Sequence, residues 1–364
     1  MMTVRLLLTC LALTWFASGR SAAFGAEIVT IGGNGTDKFT GDGGPALEAG
    51  IGEPFGLTLG PDGALYVCSV SSHCVRRIDL RTNVITTVAG SGRRGYAGDG
   101  GPATAALCNE PYEVRFDAEG NMFFVEMQNH LIRRVDRATG EISTIAGTGQ
   151  AGYSGDGGPA TKAEFKSPHS IALDGAGGLY VADIGNHRVR RIDLKSGIVE
   201  TFAGDGKNRS TPDGAPVAGT SVNGPRALDF DSQGQMFLAL REGNAVYRVD
   251  LAERRYRHLG GTGEKGNVGD GGAAQRARLN GPKGIALGPQ GDIYLADTEN
   301  HTIRVIRKKD GTIDTVAGDG QMGNGPDGDP LKCRLSRPHG VFVDPQGTVF
   351  IGDSSNHRVR MLSR

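Results

Sequence analysis

Six Asp-Gly pairs, evenly spaced, constrain the fold more than any other feature of this chain. GDGGPA occupies residues 41–46, 98–103 and 155–160, and altered versions follow at 212–216, 269–274 and 326–330. Their aspartates, Asp42, Asp99, Asp156, Asp213, Asp270 and Asp327, each stand 57 residues after the last. A proline keeps the same interval, with one step of 56, at Pro54, Pro111, Pro168, Pro225, Pro282 and Pro338. In the third copy, IALD (171–174), GLYVAD (178–183), HRVRRID (187–193) and IVETFAG (198–204) are rich in β-branched and aromatic residues and bounded by Gly, Asp or Asn. That pattern predicts four strands per repeat. Six such repeats predict an all-β, six-bladed β-propeller with four-stranded blades.

The final repeat contains only three strand signals, VFVD (341–344), TVFIGD (348–353) and HRVRMLS (357–363). EIVTIGG (27–33) matches the outermost strand signal of the first repeat, VITTVAG (84–90). The strand at 27–33 is therefore expected to complete the last blade and close the ring, which removes two open sheet edges. A single propeller domain is expected over 27–364. Residues 1–23 read as a signal peptide, with Arg5 ahead of the apolar run 6–17 and cleavage after Ala23, or as late as Ala26. The protein is thus expected to be exported, to the periplasm or outside the cell. No apolar run is long enough for a membrane span. Basic and acidic residues balance at 40 each, and losing Arg5 and Arg20 leaves a charge of about −2, which argues against a nucleic-acid partner.

The segments MQNHLIRRVD, DIGNHRVRRID and TENHTIRVI resemble the repeats of the NHL-repeat propeller family, and Asn129-His130-Leu131 spells the family signature. The resemblance covers 27–364 and implies the propeller fold. It leaves function open, because the family holds binding scaffolds, sensor domains and enzymes.

Each Asp-Gly pair offers one carboxylate where a calcium site needs six or more oxygens, so the six are read as structural turns. The same reading applies to three linked columns. An acid ends the second strand at Glu126, Asp183, Asp297 and Asp353; a histidine follows at His73, His130, His187, His301 and His357; an arginine lies at Arg76, Arg133, Arg190, Arg304 and Arg360. The fourth repeat loses all three together, as Leu240, Asn244 and Tyr247, which points to one mutually satisfying buried network.

Function is sought where the repeats differ. The residue after the aligned proline is Phe55, Tyr112, His169, Arg226, Lys283 or His339, and these six side chains, with Glu113, are expected around the mouth of the central channel. Two aromatics, two cations and two imidazoles suit a small polar or anionic ligand. This predicts a module that binds a ligand or a protein through its crossover-loop face, acts as a monomer and carries no cofactor. The alternative is a metal-assisted lyase or lactonase-like hydrolase with Tyr112, His169, Arg226 and His339 as its catalytic set. SPHSIALD (167–174) and RPHGVFVD (337–344) resemble the Pro-His openings of peptidyl-hydroxyglycine amidating lyases, which implies His169 and His339 as ligands of a divalent zinc or calcium ion. Those lyases use three such histidines on alternating blades. Here the alternating partners are Phe55 and Lys283 for His169, and Tyr112 and Arg226 for His339, and none is a usual zinc ligand. Gluconolactonase-type propellers are also similar, but their carboxylate and amide ligand set has no match at this rim. Cys68 and Cys74 are expected opposite one another across a hairpin, as a candidate disulfide in an oxidising compartment.

Overall fold

The computed structural model describes residues 26–363, so the signal segment lies outside the described residues. Six antiparallel sheets form six blades around a central channel. The third shows the local pattern: Pro168–Leu173 is innermost, followed by Gly178–Asp183, Arg188–Asp193 and Ile198–Ala203. Blades three and five each gain a two-residue edge strand, Gly158–Pro159 and Gly272–Ala273, from the crossover preceding them. No helix among the described residues is long and apolar enough to cross a membrane.

The last blade orders as expected. Glu27–Gly32 pairs antiparallel with Arg358–Ser363, placing Ile28 opposite Leu362 and Thr30 opposite Arg360. Between blades the cores are dry and shared by neighbours. Phe123, Val125 and Ile132 of blade two pack with Ile171 and Val181 of blade three, all at most 2% exposed. The ring closes the same way: Leu57 and Val67 of blade one pack with Phe350 and Val359 of blade six.

The six Asp-Gly turns are joints, and the bonds say how. Asp99, Asp156, Asp270 and Asp327 each meet a buried arginine of their own blade's third strand, at 2.7, 2.8, 2.5 and 2.7 Å, and Asp42 meets Arg76 at 3.4 Å. The same carboxylates accept from the outermost strand: from the Thr144 and Thr315 amides, and from the Thr87 and Thr201 hydroxyls. In blade six that outermost strand comes from residue 27 onward, and Thr30 donates twice to Asp327 at 2.9 Å.

One expectation is corrected. Cys68 and Cys74 are both free and fully buried. Their hairpin pairs Ser69 with Cys74 and Cys68 with Val75. Residues directly opposite share a face, and successive residues alternate, so the two thiols point to opposite sides of the sheet. Cys108 packs with Cys68 between blades one and two, whereas Cys333 belongs to the core between blades five and six.

Candidate functional site

The innermost strands begin on the crossover face, five of them at the repeated proline and the sixth at Gly340, just after Pro338 and His339, and so one side chain per blade reaches the channel mouth. All six expected residues meet there. Phe55 stacks on His339 with ring centroids 3.8 Å apart, and Tyr112 stands edge-on to Phe55 and to His169 at 4.7 Å. The Arg226 guanidinium lies over the Tyr112 ring at 5.4 Å, and Lys283 donates to His339 Nε2 at 3.4 Å. One step further along these strands sit Gly56, Gly284 and Gly340, where the backbones of adjacent blades press together. A Cβ on Gly340 would lie 1.8 Å from the Phe55 carbonyl oxygen. The ring thus folds inward and plugs the channel, leaving a space of about 10 Å³, roughly one water molecule, beneath it.

Glu299 accepts from Lys283 at 2.6 Å and from Arg337 at 2.8 Å; burial acts upward on it, but these two donors hold it down to about 2. Glu113 pairs with Arg115, whose charge also faces the half-buried Asp229. Arg226 has no such partner. It is 3% exposed, donates no hydrogen bond among the described residues, and has no carboxylate within 4 Å. Burial lowers Arg226 to about 10, where it is still cationic at neutral pH, and lowers Lys283 to about 8. Burial, followed by the charge of Arg226 on His169 and of Lys283 on His339, holds both imidazoles well below their ordinary value. Each therefore stays neutral. Their Nδ1 atoms bond the Ser167 and Arg337 carbonyls at 2.6 and 2.8 Å, which fixes the proton on Nδ1 and leaves Nε2 as the lone-pair nitrogen. His169 and His339 are the two imidazoles that could hold a metal here. No group of three His, Cys, Asp or Glu side chains able to hold one occurs among the described residues.

The conserved-looking columns divide their work differently from the single network expected. Acid and arginine do pair: Glu126 with Arg133 at 2.6 Å and Asp353 with Arg360 at 3.1 Å, with Asp183–Arg190 and Asp297–Arg304 at 3.7 Å. The asparagine before each histidine completes that set, bonding the acid in four blades. The histidine stands outside it. His73, His130, His187 and His301 each accept, at Nδ1, a backbone N–H from just before the next blade's proline, at 3.1 to 3.3 Å. In blade four the Asn244 Oδ1 takes over this bond, from Gly281 at 2.9 Å. Only the position of the donor in the next repeat reveals the role, and spacing within one repeat cannot show it.

Profiles of known families match parts of the chain: the NHL repeat at 165–192 and 335–361, and the teneurin NHL domain at 258–336. NHL repeat-containing protein 2 of Gallus gallus is 27% identical over 85% of this chain and 46% of its own length. SUPPRESSOR OF QUENCHING 1 of Arabidopsis thaliana is 27% identical over 76% of this chain and 27% of its own. The chain therefore spans between a quarter and a half of these relatives. Among solved structures, an auxiliary nutrient binding protein from Bacteroides thetaiotaomicron superposes with a TM-score of 0.69 at 19% identity, covering 93% of this chain and 76% of the other. That likeness shows the fold.

Proposed function

Because this chain is a six-bladed propeller of the NHL-repeat family, we propose that it is an exported binding module whose crossover face receives an anionic group at the channel mouth. The observation that carries this reading is Arg226, a buried guanidinium with no hydrogen bond and no carboxylate within 4 Å among the described residues, which Glu113 and Glu242 reach only at longer range. A buried charge left unpaired destabilises a fold by several kcal/mol unless something satisfies it. A carboxylate or phosphate over the mouth would do so, between Arg226 and Lys283 on one side and the Phe55, Tyr112 and His339 rings on the other. A structural neighbour named as a nutrient-binding protein agrees with such a role. The signal segment read from the sequence supports export.

The test is a thermal-unfolding screen with small carboxylates and phosphate esters. At least one should raise the unfolding midpoint of the wild type and leave Arg226→Met unmoved. Without ligand, Arg226→Met should itself be more stable than wild type, by about 1 kcal/mol or more. A destabilised Arg226→Met, together with no anion that shifts the wild type, would make Arg226 a structural residue and end the proposal. Metal analysis of chelator-free protein addresses the lyase or hydrolase alternative. Stoichiometric zinc lost in His169→Ala and His339→Ala would favour it.

A further inference from the structure

We propose that the opposite face, built from short turns, carries a second binding site: a groove between blades four and five that takes an amphipathic organic anion. The groove encloses about 920 Å³, the size that holds a drug-sized molecule. Its floor is apolar, from Phe230, Phe237, Leu259, Leu287, Ile293 and Phe342.

The seam one repeat earlier is filled and covered where this one is not. Between blades three and four, Tyr180 packs against Phe202 and Phe230 with centroids 5.0 Å from each, and the Arg254 guanidinium covers Phe202 at 5.5 Å. The corresponding residues of the next seam are Phe237, Leu259, Leu287 and Gly311. Leucines stand here where that seam has two aromatic rings, and a glycine whose Cβ would meet nothing within 4 Å stands where it has the covering arginine.

Charge then selects the occupant. Arg248 lies on the wall, and its counterparts in the first three blades all reach acids: Arg77 to Asp62 at 2.6 Å, Arg134 to Asp136 at 2.9 Å and Arg191 to Asp193 at 3.6 Å. Arg248 has no carboxylate within 4 Å among the described residues, and its Nε is buried without a partner. The acids of the groove are committed to backbone amides: Asp231 to Gln233 and Gln235, Asp310 to Thr312, and Asp344 to Gln346 and Thr348. Arg307 is held by Asp292 at 3.1 Å. These carboxylates keep their charge, but the lining's cations without a carboxylate within 4 Å are Arg248 and the exposed Lys308. An apolar body with one acidic group matches floor and wall together.

Anilinonaphthalene sulfonate, an aromatic anion that fluoresces when desolvated, is the probe, and the neutral phenylnaphthylamine is its uncharged control. Wild type should bind both saturably. Arg248→Gln should weaken the sulfonate about tenfold, the worth of one charge-assisted hydrogen bond, and leave the neutral dye unchanged. Gly311→Arg, which restores the cover present one repeat earlier, should abolish both. Leu259→Phe with Leu287→Phe, which restores the filler, should do the same by a separate route. Arg81→Gln, which changes an exposed cation in a turn of blade one outside either site, should change neither. Absence of saturable binding to wild type overturns the proposal. So does undiminished binding by the refilled variants, or loss of binding in Arg81→Gln.

Discussion

At the scale of single residues, four of the repeated histidines, His73, His130, His187 and His301, work as staples between blades. Each takes a left-handed backbone conformation, with φ from 48 to 57°, and its Nδ1 meets the following blade. Nδ1 accepts a hydrogen bond only while the ring is neutral. Burial accordingly depresses the pKa of His73, His130 and His301. In the unfolded chain the same rings take up a proton near pH 6.5. Their contribution to stability is therefore complete above about pH 6.5 and is lost as the pH falls below it toward the folded values. His130→Ala leaves the Ser167 amide without its acceptor and should lower stability at pH 8 by about 1–2 kcal/mol. His130→Asn, which copies Asn244, should be near wild type at pH 8 and lose less than wild type by pH 5.5. Urea unfolding at the two pH values measures both. An alanine variant with a wild-type midpoint at pH 8 would show that the staple carries no weight.

At the scale of the blade, the acid and the buried arginine form a unit that is kept or replaced whole. Arg190 is fully buried and reaches the Ser154 carbonyl at 2.9 Å; in blade four the Tyr247 hydroxyl makes the equivalent bond, to the Thr211 carbonyl at 2.6 Å. Leucine at 240 then takes the place of the carboxylate, and no charge is stranded. Arg190→Met alone should therefore destabilise the protein by about 3–5 kcal/mol, because Asp183 stays buried without its partner. Asp183→Leu combined with Arg190→Tyr should recover most of that loss. A double-mutant cycle by urea unfolding reads the coupling, and simple additivity would refute the pairing. Much of the blade was legible in sequence because a fixed interval aligns equivalent positions, so a joint substitution such as Leu240 with Tyr247 exposes a shared partner. Parity was not legible. Cys68 and Cys74 sit within one residue of facing each other, and a slip of one residue in a hairpin register moves a side chain to the other face. The six mouth residues were likewise found by column, but their collapse into a plug depends on side-chain packing across the channel, which no column records. The groove between blades four and five was not legible for a related reason: Leu259, Leu287 and Gly311 are ordinary residues, matched by Ile145, Leu173 and Gly197 two repeats earlier, and a column of residue types does not record the space between them.

At the scale of the whole molecule, stability rests on a seam made by distant parts of the chain. Besides its pairing with 358–363, the strand Glu27–Gly32 supplies Ile28 to the core between blades five and six, and Thr30 to Asp327 and Arg360. Removing residues 26–32 should thus do more than fray an end. It uncovers the Arg358–Ser363 edge, empties the Ile28 site, and takes a partner from a buried guanidinium, so the ring should lose cooperative unfolding or associate through the bare edge. Moving the segment instead of deleting it separates geometry from chain order. A permuted chain that begins after residue 33 and carries 26–33 behind 363, joined through a short turn like 194–197 of blade three, restores every one of those contacts within a local hairpin. Its unfolding midpoint should match or exceed that of the parent, because the two paired strands then close a loop of a few residues in place of one spanning the whole chain. If the deletion unfolds at the parent's midpoint, or the permuted chain fails to recover what the deletion loses, the six blades do not depend on this seam for their closure.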